Sequence, residues 1–234
     1  VWRVRESAGA VEADVWLENE QRSLTVRAEQ LIWAAPAFVL PRVWPEMPPA
    51  LAAAAKGGDY APWLVANLHL SELPQERRGI PAAWDNVLYE GQGLGYVVAT
   101  HQLIRRHLRG TVLTYYRPLS ESAPAEARRQ LLDTPREVWA EQILQELSLP
   151  HPDIRRLTTR LDVFRFGHAM RRPVPGSLWG GARERLAADH PGRVSLAHAD
   201  LSGFSIFEEA QYRGLVAAER VLRRLAVRFA SSLV

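Results

Sequence analysis

The sequence predicts an α/β fold in two lobes, and three observations carry that expectation. Near the C-terminus a short strand, Val194 to Ala197, runs into a loop of small residues and then into a long helix from about Ile206 to Arg228. Residues 36 to 60 are rich in proline and alanine, and six prolines from Pro36 to Pro62 forbid one long regular element. Between these stretches lie short apolar runs separated by turn residues, the pattern of an antiparallel meander.

Val1 to Val15 is short, alternating and β-like. The opening residues are neither a start methionine nor a signal peptide, so the chain is expected to begin within a longer natural protein. Arg22 to Ile32 alternates again and ends in Trp33-Ala34-Ala35-Pro36. A strand that stops at small residues and proline suits a chain passing close to a ligand or another backbone. The Pro/Ala-rich stretch that follows reads as a crossover between lobes. Leu64–Leu70, Trp84–Tyr89, Leu94–His101 and Gly110–Tyr116 are expected strands. Pro124 to Leu132 is a short helix. Thr134-Pro135-Arg136-Glu137 has the form of a helix start with Thr134 as N-cap, and Val138, Ile143 and Leu147 continue it as an apolar stripe. A strand from Leu161 to Phe166 precedes a loop holding Pro173, Pro175 and Gly176. In the last helix Glu208 and Glu209 open the first turn and arginines crowd the end, an order that complements the helix dipole.

The chain has 234 residues, nearly half of them hydrophobic, enough for one large domain or two smaller ones. No cysteine occurs, which excludes disulfides, thiolate metal sites and a cysteine nucleophile. No run of about 18 uncharged apolar residues occurs, so no membrane span is expected and a cytoplasmic location is. The net charge is +3 and Lys56 is the only lysine. Arginine in this proportion suits phosphate binding or simply a GC-rich genome. The arginines are scattered among acids, without the aromatic-interleaved stripe of a nucleic-acid binder.

The segment from Asp200 to Gly214 is the most informative. A strand ends in an acid, a small-residue loop with Ser202, Gly203 and Ser205 follows, and the second turn of the helix carries Gly214. Such a corner offers a cofactor the unpaired N–H groups of a helix start, with Asp200 able to accept from sugar-like hydroxyls. The same pattern fits an ordinary strand–loop–helix unit. Gly214 costs about 1 kcal/mol against alanine in a helix interior, which close packing on a strand or a cofactor would explain.

Other candidates are weaker. His168 follows a strand and can serve as an acid or base, or as a structural histidine. Trp63, Trp84, Tyr96 and Trp179 can line a cavity for a hydrophobic or cationic substrate, or belong to the core. His101 and His107 have no carboxylate pair beside them, so no metal site is expected. Ser177 and Ser202 lie in no nucleophile elbow. Gly91-Gln-Gly93-Leu-Gly95 has the wrong spacing for a dinucleotide fingerprint and reads as a hairpin turn.

Ala197-His-Ala-Asp200, then Glu208-Glu-Ala, Gly214 and Ala217-Ala218, resembles the closing motif of the flavin-containing amine oxidases and related phytoene desaturase-like enzymes. Glu29-Gln-Leu-Ile-Trp-Ala34-Ala35-Pro36 resembles the family's strand ending where the chain passes the cofactor. Phe164-Arg-Phe-Gly-His168-Ala-Met170-Arg-Arg-Pro173-Val-Pro-Gly176 resembles its return from the substrate domain. Tyr60 to Trp63, Trp84 to Val87 and Leu94 to His101 resemble a bacterial branch known only as FAD-dependent or NAD(P)-binding oxidoreductases. The resemblance covers nearly the whole chain but only the family's C-terminal half. It implies a partial FAD-binding lobe, residues 1–45 and 190–234, and a substrate lobe, residues 46–189, with a mixed or antiparallel sheet and helices.

The resemblance further implies FAD as cofactor, a small-molecule substrate, and hydride transfer from that substrate to the flavin. Asp200 would take the ribityl role. Ile206 and Phe207 would supply backbone donors to the pyrimidine edge. Ser202, Gly203 and Ser205 would form the connecting loop, and Ala34, Ala35 and Pro36 would pass the cofactor. Two departures stand out. The G-x-G-x-x-G segment that would hold the pyrophosphate is absent, so a missing N-terminal partner segment is implied and this fragment is expected to bind FAD weakly or not at all. The lysine many amine oxidases place near flavin N5 is also absent from Pro62 to Leu70, which puts amine oxidation in doubt. A non-catalytic binding or scaffold module that keeps the fold without flavin is the alternative.

Overall fold

A computed structural model describes residues 1–75, 83–104 and 109–233. The expected α/β class is what it shows. In chain order the strands are β1 (Arg3–Glu6), β2 (Val11–Leu17), β3 (Arg22–Ala28), β4 (Leu31–Trp33), β5 (Tyr60–Leu70), β6 (Asp85–Asn86), β7 (Gly95–Val98), β8 (Thr111–Pro118), β9 (Thr158–Arg171) and β10 (Val194–Leu196). The helices are α1 (Leu40–Val43), α2 (Pro49–Lys56), α3 (Pro124–Asp133), α4 (Arg136–Leu147), α5 (Ile154–Leu157), α6 (Ala182–Ala187) and α7 (Phe207–Arg224).

The chain divides into two compact units. One comprises Val1–Asp59 with Arg171–Val234, the other Tyr60–Met170. Residues 46–59 and 171–189, expected in the substrate lobe, therefore pack with the two ends of the chain. The reason is apolar packing: Leu51, Ala54 and Ala55 of α2 and Leu186 of α6 share a core cluster with Trp33, Leu40, Trp44, Val194 and Leu196.

In the first unit, β1, β2 and β3 form an antiparallel sheet, and β4 pairs with β10 in parallel. The alternating run Arg22 to Ile32 is thus two strands, not one. It breaks at Glu29-Gln30 because β3 continues the antiparallel sheet, whereas β4 joins a strand 163 positions onward. β3 is exposed at every position, so its alternation buries no face. The crossover expected at residues 36–60 contains α1 and α2. Pro41 sits near the start of α1 and Pro49 near the start of α2, positions where a missing N–H costs nothing.

In the second unit, Tyr60–Met170, one sheet runs in the order β6-β7-β8-β5-β9. β6, β7 and β8 form three strands of the expected four-strand meander, but β5, expected to neighbour β6, pairs with β8 instead. Strict alternation on β5 and β8 decides the two faces. Leu64, Ala66, Leu68 and Leu70 with Leu113 and Tyr115 are buried against α3, α4 and α5, together with Leu131, Trp139, Ile143, Leu147, Ile154 and Leu157. Their neighbours one residue along, including Trp63, Val65, Asn67, Thr114 and Tyr116, lie on the opposite face and are only half-buried. The expected N-cap Thr134 is displaced by one residue. Pro135 is extended at φ −57°, ψ 148° and serves as the N-cap of α4, while Thr134 closes α3 by donating its N–H to Gln130.

Candidate functional site

The first candidate site is the corner at the C-terminal ends of β4 and β10. The two strands run in parallel, with Val194 opposite Leu31 and Leu196 opposite Trp33, and Ala197 N donates to Trp33 O at 2.8 Å. The chain leaves β4 through Ala34, which is exposed, and Ala35 and Pro36, which are half-buried. It leaves β10 through a single turn of 3-10 helix, Ala199–Leu201. Asp200 at the centre of that turn is wholly buried. Its Oδ2 accepts from Ala37 N at 2.9 Å and lies 3.2 Å from His198 Nδ1. The two strand ends are therefore tied together by one carboxylate.

Arg171, itself buried, supplies a third tie. Its backbone N–H donates to Ser205 Oγ at 2.9 Å, and its Nη1 donates to the Asp200 carbonyl at 2.9 Å. Arg213 reaches back from α7 to donate to Ser202 Oγ at 2.7 Å. Burial lowers the Arg213 pKa. Gly203 sits at φ +85°, a left-handed conformation that glycine adopts without the penalty of a side chain. The Ala34–Pro36 stretch, the Asp200–Ser205 loop and the Arg171 end of the returning segment are thus brought together. Sequence reasoning found all three but missed Arg171 and Ala37 as the residues that join them.

The start of α7 is open. Ile206 is an extended N-cap with no side-chain capping bond, and Ile206 and Phe207 are 50% and 75% exposed. The N–H groups of such a first turn have no partner within the helix. Gly214 packs against nothing: a Cβ placed there meets no atom within 4 Å among the described residues. The close packing expected at this glycine does not occur among the described residues. Gly214→Ala is accordingly expected to stabilise the isolated chain by about 0.5–1 kcal/mol, read as a rise in urea midpoint. A loss of stability would mean that a neighbour occupies this face.

The second candidate site is the face of the sheet opposite α3, α4 and α5 in the unit Tyr60–Met170. Trp63 stacks on Tyr116 with ring centroids 6.4 Å apart and planes 17° apart. Tyr116 Oη donates to Asp85 Oδ1 at 2.7 Å, and burial together with the neighbouring Asp85 carboxylate pushes its pKa up to about 12. Thr114 donates to Asn67 Oδ1 at 2.9 Å. On β9, Phe164 and Phe166 stack at 6.4 Å, both substantially exposed. His69 Nε2 lies 3.2 Å from Asp162 Oδ2.

The remaining sequence candidates scatter. Tyr96 points into the helix-covered core opposite Tyr115, with its hydroxyl 2.6 Å from His151 Nε2, on the other side of the sheet from Trp63. Its pKa is raised by burial. Trp84 is 59% exposed and rests 5.5 Å from His101. Trp179 belongs to the other unit and is 85% exposed. His168 lies on β9 with its ring edge-on to Tyr60 at 6.1 Å. His107 lies outside the described residues. Gly91 and Gly93 lie in the turn between β6 and β7, as their spacing predicts, and Gly95 opens β7. Among the described residues no cluster of potential metal ligands occurs, and no helix is long and apolar enough to cross a membrane.

No protein-family model and no curated protein sequence matches the chain. Solved structures do. A cyclohexylamine oxidase from Brevibacterium oxydans IH-35A superposes with a TM-score of 0.68 at 15% identity, covering 96% of this chain and 48% of that one. A putrescine oxidase triple mutant, redesigned in its cofactor binding, superposes with a TM-score of 0.63 at 12% identity, covering 94% and 48%. The chain has the fold of the C-terminal portion of an FAD-dependent amine oxidase. It spans about half the length of the solved structures it matches. Among the described residues, the tied corner of β4 and β10 and the sheet face opposite α3, α4 and α5 both carry chemistry-bearing side chains.

Proposed function

We propose that this chain is the C-terminal portion of an FAD-dependent oxidoreductase that dehydrogenates a small organic substrate. The observation that carries the reading is the corner held by Asp200, Ala37, Arg171 and Ser205, at the ends of two parallel strands and beside an open helix start. Ligands of α/β sheets bind outside the carboxyl ends of the strands. The residues present fit a flavin: Gly203 keeps the loop free of a side chain, and the first-turn N–H groups at Ile206 and Phe207 suit an electron-rich ring edge. When bound, the flavin would accept a hydride from the substrate.

In this reading the unit of Val1–Asp59 with Arg171–Val234 contributes the flavin lobe, and the unit Tyr60–Met170 carries the substrate-binding surface. Asp200 acts chiefly through Ala37, holding the Ala34–Pro36 turn in place, with the ribityl chain as its further partner. Ser202 and Ser205 are held by Arg213 and Arg171 and keep the loop rigid. Gly214 leaves room on α7 for a neighbouring element. An N-terminal segment with a dinucleotide-binding motif would complete the pyrophosphate site, since this chain has no G-x-G-x-x-G.

Titration of FAD with the isolated chain is expected to show weak flavin quenching or none, because one wall of the site is supplied here. Micromolar binding would contradict that. The natural protein containing this chain is expected to purify yellow. A colourless protein that ignores added FAD would sink the flavin reading and favour a binding or scaffold module with the same fold.

A further inference from the structure

We infer that the outer edge of β3 is a self-association surface, and that its partner is β3 of a second copy of this chain. The two strands pair antiparallel about a two-fold axis at Thr25 and join two three-stranded sheets into one of six strands.

The sheet β1-β2-β3 has two unlike faces. Val4 lies opposite Ala13 and Ala13 opposite Val26, while Val11 pairs with Ala28 and Val15 with Leu24. These residues share one apolar face. Val4 and Val11 carry it into the core cluster with Trp33 and Leu40. At β3 the same face runs out into solvent, with Leu24 39% and Val26 45% exposed. Ser23, Thr25 and Arg27 lie on the other face, where Thr25 Oγ1 donates to Asp14 Oδ1 at 2.8 Å and Arg5 pairs with the same carboxylate. Among the described residues β2 is the only strand beside β3, so the N–H and C=O groups on its outer edge have no ladder partner. Neither proline nor lysine interrupts Arg22–Ala28, and its register with β2 runs without a bulge. Those are common devices for blunting an edge, and β3 lacks them.

The sequence of the strand matches itself in one register. Outward-pointing backbone groups recur at every second residue, so a two-fold axis between two such edges passes through a residue. An axis at Thr25 pairs all seven positions of β3, and any shifted axis pairs fewer. Leu24 then lies against the partner's Val26, and Val26 against the partner's Leu24, which extends the apolar face across the junction. Arg27 lies against the partner's Ser23 and Arg22 against the partner's Ala28, so no arginine meets an arginine. Arg22 also has its own counter-ion, with Nε 2.5 Å from Glu20 Oε2. An axis at Leu24 would instead set Arg22 against the apolar Val26. Charge and apolar character therefore both select Thr25. A patch complementary to itself closes as a pair and stops there, and main-chain bonds along an added strand supply the affinity.

Sedimentation velocity on this chain is expected to show a monomer–dimer equilibrium with a dissociation constant of about 10–100 μM, as suits a small interface. Leu24→Glu combined with Val26→Glu sets carboxylate against carboxylate at both contacts and is expected to weaken the dimer at least about tenfold. Both positions are exposed, and an unchanged thermal transition shows that the variant folds. The register is read by cross-linking, because the chain has no cysteine of its own. Thr25→Cys brings two thiols to a Cα spacing of about 4.5–5.5 Å, within disulfide reach, and is expected to cross-link to itself under mild oxidation. Ser23→Cys and Arg27→Cys are expected to cross-link to each other when mixed and far less to themselves. Trp16→Cys, on β2 and on the same face as Thr25, is expected to stay monomeric. A chain that remains monomeric at about 200 μM, well above the range of such an interface, leaves the edge to some other occupant and overturns the inference. A dimer that survives the two glutamates, or one in which Trp16→Cys cross-links as readily as Thr25→Cys, overturns it as well. No flavin enters these measurements, so their outcome is independent of the flavin reading.

Discussion

Asp200→Ala is expected to destabilise the unit formed by Val1–Asp59 and Arg171–Val234 by about 2–3 kcal/mol. Asp200 is wholly buried and accepts from the N–H of Ala37, which is itself buried. Removing the carboxylate leaves that N–H without an acceptor, and an unsatisfied buried donor costs about 1–3 kcal/mol. A small cavity adds to the loss. Asp200→Asn keeps the volume and one acceptor oxygen, so less than half of the effect is expected there. Hydrogen exchange resolved by peptide distinguishes the units: amides of β4 and β10 lose protection in Asp200→Ala, while those of β5 and β8 keep theirs. A variant within about 0.5 kcal/mol of the parent would show that the tie is dispensable.

Trp139→Ala is expected to have the larger effect, about 3–5 kcal/mol, confined to the unit Tyr60–Met170. The Trp139 ring is 1% exposed in the cluster between the sheet and α3, α4 and α5. Its Nε1 donates to Leu131 O at 3.3 Å, and the Arg117 guanidinium lies 5.8 Å over the ring. Truncation opens a cavity, orphans the Leu131 carbonyl and strips the buried Arg117 of its aromatic neighbour. The pattern in hydrogen exchange should be the reverse of that for Asp200→Ala. Trp139→Phe keeps most of the packing and should lose well under half as much. Loss of protection in both units together would show that they unfold as one.

Much of this was legible in the sequence, for reasons visible at particular residues. The strand–loop–helix from Val194 to Arg224 was plain because small residues, an acid and a dipole-matched helix follow one another without interruption. The meander was plain because turn residues separate its strands. What was hidden depended on partners distant in sequence. Thr134 reads as an N-cap, yet Pro135 takes that role because Thr134 is already engaged in closing α3. Arg22 to Ile32 reads as one strand, yet β4 leaves the antiparallel sheet to pair with β10. Tyr96 and Trp63 read as equivalent aromatics, yet they lie on opposite faces of one sheet.

The arginines show the same divide. Composition left phosphate binding and genome bias both open. In the structure Arg220 and Arg224 cap carbonyls of Ala187, His190 and Gly192, and Arg193 caps Glu29, so many of them satisfy loop backbone.

By itself the sequence determined the α/β class, the positions of the main elements and the resemblance that names a flavin, because periodicity, turns and caps act between residues close along the chain. Only the tertiary structure decided which strands pair, which aromatic residues are core, and that Asp200 is joined to Ala37 and Arg171. Those contacts span from 29 to 163 positions, and burial of the shared apolar face, not local preference, selects among such distant partners.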